Sequence, residues 1–443
     1  MNKRGFIPIL IIGIIAAVAV LGTGGYFYVS KKTFLKSPKN TEAPVLPKNN
    51  FTNENKKEDV KKETIKKEEV QKNSYSPQKK PSLFQQQNEN RKGYEILTES
   101  ERARLPECAD ILMKEPPVPL SSVVSIEPIG SANPPEHTLA SISSDTYIGV
   151  VGQGSTKTTP LVAPGDMWII FIQPRTGVTQ DPEDHVIKYA FCKDVYGVVD
   201  HVKSFSPEIK KLIDEYKCQY GGVPGDNRCP ITLLQYVKAG TPLGSVGRMQ
   251  GNFNFGTWDL RTSHFFANPS RHGHLTKYST CPFDYYDKPL RDLLLEKLET
   301  TVQGKCGSVE HDVAGTLAGD WFIGNATPMR PSDWGKLLYF GPHNRFPDQS
   351  VISVGGIIVP EATKWTFKTR ISGTINARFE DVKPGKIYCY EHENSQYSWV
   401  EKGVTSGRFL VELTTSQKIN IEHQMDSCQN SDWIFKKPTE YIR

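Results

Sequence analysis

Two histidines at positions i and i+2 of a strand point the same way, so an H-x-H pair can offer both imidazoles to one metal ion. His272-Gly273-His274 is the H-x-H of this chain, and His264 lies close enough in sequence to supply a third imidazole. The Gly between the pair, the preceding Pro269 and the polarity of NPSRHGHLTKY instead mark a flexible loop. Glu310-His311-Asp312 gathers three ligand types and reads as a solvated turn. GVVGQGSTKT, from Gly149 to Thr158, has the outline of a phosphate loop, but Ser155 and Thr156 intervene before the Lys and no helix follows. There is no G-x-S-x-G, and no cysteine sits where its thiol would be activated. Asn252-Phe253-Asn254 repeats the i, i+2 geometry with amides. Read by residue type, it is a strand with wet asparagines and with Phe253 and Phe255 in a core. His137, beside Pro135-Glu136, reads as a loop histidine, and His201, beside Asp200, as a histidine at a strand edge.

The elements that must position these residues are mostly strands. From Pro119 onward the chain is punctuated by Pro and Gly and filled with short alternating segments such as MWIIFIQ, VIKYAFC, YGVVDHV, FNFGTWDL and GRFLVELT. Two helices are expected. One starts at Ser206-Pro207-Glu208, with Ile209, Leu212, Ile213 and Tyr216 at helical spacing. The other is KPLRDLLLEKLET, with Leu290, Leu293, Leu294 and Leu298 on one stripe. A Gly-rich break after Cys306 divides this mainly β chain into residues 96–305, with the inserted helices, and residues 306–443. The latter should form a small antiparallel β-barrel or sandwich around Trp321, Trp334, Trp365, Trp399 and Trp433. Trp334 and Trp399, beside Asp333 and Ser398, would suit sugar stacking if exposed.

The first 95 residues are of another kind. Lys3 and Arg4 precede an uncharged apolar run from Gly5 to Val29, long enough to cross a bilayer, so residues 1–30 read as a transmembrane anchor. A signal peptide cleaved near Ala17-Val18-Ala19 is the rival reading. Lys-Arg-Gly-Phe also looks like a type IV prepilin leader, but Leu10 stands where that family has Glu. Residues 31–95 carry 16 Lys+Arg against 9 Asp+Glu with almost no aliphatic periodicity, the composition of a disordered linker. The net charge of +5 thereby resolves into a basic leash and an acidic remainder with 36 Lys+Arg against 40 Asp+Glu, which removes the case for nucleic acid. All 8 cysteines lie beyond the leash and none is in a CxxC, as expected of disulfides in an oxidising compartment. Cys218 with Cys229, and Cys389 with Cys428, are the expected pairs.

Over roughly residues 126–260 the chain resembles the lysostaphin-type (LytM-like) zinc peptidoglycan endopeptidases, whose fold is a β-roll. TTPLVAPGDMWII is similar to their first strand pair, YGVVDHVKSFSPEI to their "Y-HL" strand and helix start, and VKAGTPLGSVG to their glycine hairpin. VKAGTPLGSVG is also similar to the hairpin of biotinyl and lipoyl domains. The family binds zinc through a His and an Asp four residues apart and the second His of an H-x-H strand, leaving a position for the attacking water. Carried over, His137 takes the first position, with Asp145 eight residues on rather than four. The H-x-H falls on Asn252-Phe253-Asn254, so Asn254 takes the third ligand position, where an amide oxygen is a poor substitute for imidazole. His201 matches the auxiliary histidine that helps polarise the attacked carbonyl.

The resemblance implies a degenerate, non-hydrolytic roll with no cofactor. It would sit outside the cell membrane, to which the N-terminal helix tethers it, or be secreted if that helix is cleaved. Its expected role is to bind or scaffold peptidoglycan or an envelope protein. The alternative is an active zinc endopeptidase that cuts peptidoglycan cross-bridges with His201 assisting.

Overall fold

The computed structural model describes residues 97–443 apart from 133–144, 175–182, 217–230, 274, 303, 393–398 and 431. The described residues belong to one compact unit, and the anchor and leash lie outside them. Among the described residues no helix is long and apolar enough to cross a membrane.

The fold is mainly β, with three short α-helices among the described residues: α1 (Glu99–Arg102), α2 (Pro207–Glu215) and α3 (Lys288–Leu295). The two expected helices are α2 and α3. Ser206 and Asp287 cap them by accepting the Ile209 and Leu290 N–H groups, and a Pro opens each first turn. The first half contributes β1 (Val123–Glu127), β2 (Thr146–Val150), β3 (Thr158–Val162), β4 (Met167–Pro174), β5 (His185–Ala190) and β6 (Val195–Val202). It continues with β7 (Ser204–Phe205), β8 (Ile231–Val237), β9 (Pro242–Gly247), β10 (Asn252–Asp259) and β11 (Ser279–Thr280). These strands build an antiparallel sheet in the order β1-β2-β10-β6-β5-β4-β8, with β11 beside β10, and a smaller sheet β3-β9-β7. The expected hairpins are therefore sheet changes. The chain passes from β3 to β4, and from β8 to β9, across tight turns that carry it from one sheet to the other. Between the sheets lies a core that includes Leu161, Leu243 and Val246 from the small sheet and Ile169, Ile187, Val199, Phe253 and Phe255 from the large one. β6 is buried along its whole length, because both faces of the sheet are covered there.

The second half is one nine-stranded antiparallel sheet. Its strands are β12 (Gly319–Phe322), β13 (Leu337–Pro342), β14 (Ser350–Val354), β15 (Thr363–Phe367), β16 (Ile387–Tyr390), β17 (Trp399–Lys402), β18 (Arg408–Thr415), β19 (Lys418–Gln424) and β20 (Thr439–Ile442). The order β16-β18-β19-β20-β12-β13-β14-β15-β17 leaves β16 and β17 at its ends. The sheet curls into a half-barrel over its own core, so that Trp365 of β15 meets Phe409 of β18 at 4.5 Å between ring centres. Among the described residues its ends, β16 and β17, do not pair with each other, so the barrel is not closed. Trp321 and Trp365 are core residues, and Trp334 packs beside Phe322 and Leu337 and donates its N–H to the Pro328 carbonyl, so it is no open platform.

Three disulfides lie among the described residues: Cys108–Cys192, Cys281–Cys306 and Cys389–Cys428, the last as expected. Cys218 and Cys229 lie outside them. Cys306 belongs with the first core, so the division expected at 305/306 falls inside a packed seam. Ala132, Phe266, Val309, Tyr339 and Val351 form that seam, and Arg345 reaches back across it to Glu127 at 2.8 Å and Glu299 at 2.9 Å.

Two sequence motifs are spent in the same seam. His272 is not in a flexible loop, since it is buried with its ring 4.2 Å from Phe266, and His274 lies outside the described residues. His264 instead bonds Glu310 at 3.2 Å and the Ser279 carbonyl at 2.7 Å. Glu310-His311-Asp312 is not a solvated turn either. His311 hydrogen-bonds the Ser308 carbonyl at 2.8 Å, and buried Asp312 accepts the Ala267 and Asp320 N–H groups.

Burial lowers both His272 and His311 to about 4. The unfolded chain takes up these protons near pH 6.5, so their contribution to stability is present at neutral pH and lost as the pH falls from about 6.5 toward 4. Asp320 works the other way, because burial and then Asp312 push its carboxyl well up, and its contribution is lost as the pH rises above the ordinary carboxylate range. Substituting His272→Phe keeps the aromatic packing and removes one titration. The loss of stability between pH 7 and pH 4.5, read by urea unfolding, should shrink by roughly 2 kcal/mol relative to the parent. An unchanged loss would contradict this.

Candidate functional site

The candidate site grows from the β5–β6 hairpin. Its short connection, Phe191 to Asp194, sets the register from Ala190↔Tyr196 to Ile187↔Val199, and a one-residue bulge beyond it then pairs His185 with Val202, leaving Asp200 and His201 opposite Val186. Asp184, one residue before β5, is thereby brought to His201 near the end of β6. Neighbouring residues of a strand normally point to opposite faces. At His201 the backbone turns into the left-handed region, φ 67°, and its N–H donates to its neighbour's carboxylate, Asp200 Oδ1, at 2.7 Å. A non-glycine residue held there costs about 1–3 kcal/mol and persists only where its surroundings impose it. The deflection breaks the alternation and gathers ligand atoms of Asp184, Asp200 and His201 within 4.8 Å of one another, all three buried.

Within this cluster His201 Nδ1 lies 3.0 and 3.1 Å from the two oxygens of Asp184. A carboxylate only accepts, so Nδ1 carries a proton and donates it to Asp184. Lys203, just past the deflection, is fully buried and places Nζ 3.6 Å from Asp184 Oδ1. It also donates to Gln250 Oε1 at 3.4 Å, and Gln250 Nε2 donates to Asn252 Oδ1 at 3.0 Å. Asp184 therefore connects to the first asparagine of the N-x-N through Lys203 and Gln250.

The second asparagine is bound as well. Tyr147 of β2, Asn254 of β10 and Asp200 of β6 stand in one row across three strands. Asn254 is buried, which corrects the expectation that both asparagines sit on a wet face, while Phe253 and Phe255 lie in the core as the alternation requires. Asn254 Nδ2 donates to Asp145 Oδ2 at 3.4 Å. Asp145 lies across Gly256, where any Cβ would collide with its carboxylate. The structure thus brings Asp145 and Asn254 together from 109 residues apart, with Asp200 beside Asn254 on the neighbouring strand. His137 lies outside the described residues.

This donor set fits a catalytic zinc poorly. Joint coordination would need Asp145 and Asn254 to aim oxygens at one point, but the amide turns its N–H to the carboxylate, and Asn254 Oδ1 is buried with no partner. A lysine ammonium stands beside the nearest cluster of charged ligand types.

The same face of the sheet is covered farther along. Leu97 and Leu105 pack onto Ile170, Val186, Ala190, Tyr196, Val198 and Trp258. The covering segment is held by α1, whose Thr98–Glu101 capping box is complete, and by Arg102, which pairs with Asp194 and donates to the Lys193 carbonyl at 2.8 Å. The Cys108–Cys192 disulfide then fastens it to the hairpin connection.

Sequence reasoning singled out His201, Asp145 and Asn254 but missed Asp184, Lys203 and Gln250. Hairpin arithmetic was the available signal, because folding HVIKYAFCKDVYGVVDHV about its middle sets Asp184 beside His201 and Lys203.

No protein-family model matches the chain, and no curated protein matches it. Among solved structures it is similar to Helicobacter pylori Csd3 in hexagonal and orthorhombic crystals, at 15% identity and TM-scores of 0.24 and 0.25. The match covers 44% of this chain and 40% or 42% of those chains, so this chain spans about two fifths of their length. It is also similar to lysostaphin in solution, at 12% identity and a TM-score of 0.19, over 52% of this chain and 78% of that one. Likeness at this level is distant, and the fold described here rests on its own strand pairing.

Removing Asp184 would leave a buried ammonium without its carboxylate. Asp184→Ala should therefore lower stability by about 3–5 kcal/mol in urea unfolding, the range for breaking a buried pair from one side. A loss below about 1 kcal/mol would show that Lys203 reaches water without Asp184.

Proposed function

We propose that this chain is a membrane-tethered, extracytoplasmic cell-envelope protein whose roll binds or scaffolds cell-wall glycan or a partner protein without hydrolysing it. The observation that carries this reading is the internal bonding of the groove. The two histidine positions of the family's H-x-H strand, the second a metal ligand, are held by Asn252 and Asn254, and each spends a polar atom on a neighbour in the same chain. The three disulfides support a place outside the reducing cytoplasm. The uncharged segment from Gly5 to Val29 supplies the tether, and the Lys- and Glu-rich leash lets the folded part reach away from the membrane.

One observation favours the alternative, a zinc endopeptidase acting on peptidoglycan. His201 is held by Asp184 through Nδ1, as a general base is held by an orienting carboxylate. It is 1% exposed, however, and a base must come within hydrogen-bond reach of the group it serves.

Incubating the purified chain with cell-wall sacculi separates the two. Retention on the sacculi with no soluble muropeptide released, with and without added Zn²⁺, is expected. Release that depends on His201 would establish the enzyme, and neither retention nor release would point to a protein partner.

A further inference from the structure

We infer that the Lys203 ammonium is the resident cation of the groove, standing in for a metal ion and keeping divalent ions out of the Asp184–Asp200–His201 cluster. This rests on the reading of the groove as non-hydrolytic, and adds what makes it so.

Asp184, Asp200 and His201 have the chemistry of a divalent-metal site, two carboxylates and an imidazole whose ligand atoms lie within 4.8 Å of one another in a buried place. What distinguishes it is the charge already present. Lys203 Nζ is 3.6 Å from Asp184 Oδ1, and both side chains are 0% exposed, so water screens this pair very little. Lys203 is also fixed at its root, since its N–H donates to the Ser245 carbonyl at 2.7 Å, and its head is held by Gln250. A divalent ion entering the cluster would meet this ammonium at close range. It would also compete for ligands already in use: Asp200 Oδ1 holds the His201 N–H, and both oxygens of Asp184 hold His201 Nδ1.

Arginine could not do the same, because its planar fork is larger and needs several acceptors, whereas the ammonium is a compact point charge of nearly ionic size. The position of the lysine matters too. Through Gln250 it reaches Asn252, so one cation anchors both the acid cluster and the N-x-N strand.

The test uses the full chain after chelator treatment, titrated with Zn²⁺ alone by calorimetry and by melting temperature. The parent should bind no Zn²⁺ in a way that Asp184→Asn alters. Lys203→Met should gain one site at least about tenfold tighter than any in the parent, with a melting temperature that rises on adding Zn²⁺. Adding Asp184→Asn to Lys203→Met should abolish that gain. A parent that binds one Zn²⁺ lost in Asp184→Asn overturns the inference, as does a folded Lys203→Met that gains none. If Lys203→Met does not fold, ¹⁵N-lysine labelling of the parent decides. A slowly exchanging ammonium signal that disappears in Lys203→Arg supports the inference, and its absence overturns it. None of these readouts involves sacculi. Failure here with intact retention therefore refutes the role of Lys203 alone, and released muropeptides refute the non-hydrolytic reading itself.

Discussion

A lysine ammonium with no access to water constrains everything around it. It must have a carboxylate within a few ångströms, and that carboxylate must be supplied by a part of the chain whose position is fixed. Asp184 meets both conditions because it precedes β5, whose pairing with β6 is set by a short connection. The one-residue bulge between His185 and Ile187 sets the local register in which Asp184 meets Lys203, so the ion pair and that register depend on each other. The left-handed turn at His201 is a consequence. It lets Asp200 and His201, sequence neighbours, face the same buried charge.

From that centre the bonding runs outward in two directions. Along one, Gln250 carries it to Asn252 at the start of β10. Across the row, Asn254 is drawn to Asp145 beside Gly256. Farther along the same face, the segment around α1 covers Val198 and Trp258 and is fastened covalently at Cys108. The cluster is thus bonded within the chain, and the face of the sheet that carries it is covered along part of its length.

Much of this was legible in the sequence. The alternation in FNFGTWDL placed Phe253 and Phe255 in the core, the N-cap signals placed α2 and α3, and Cys389 was paired with Cys428. What was not legible depends on tertiary context. Nothing in NPSRHGHLTKY shows that Phe266 and Phe322 would enclose His272. Local polarity favoured a solvated turn at Glu310-His311-Asp312, but burial there is set by strands far away in sequence. Lys203 was invisible for a related reason. A lone lysine at a strand end is ordinarily solvated, and only the hairpin register reveals the acid waiting for it.

On this reading Lys203, and not a metal ion, is the cation of the Asp184–Asp200–His201 cluster. A crystal structure grown in excess Zn²⁺, with anomalous data collected at the zinc edge, tests it most directly. The result consistent with the claim is no anomalous peak in the groove, with Lys203 in density beside Asp184. A peak within about 2.0–2.2 Å of Asp145, or of Asp184, Asp200 and His201, would contradict it.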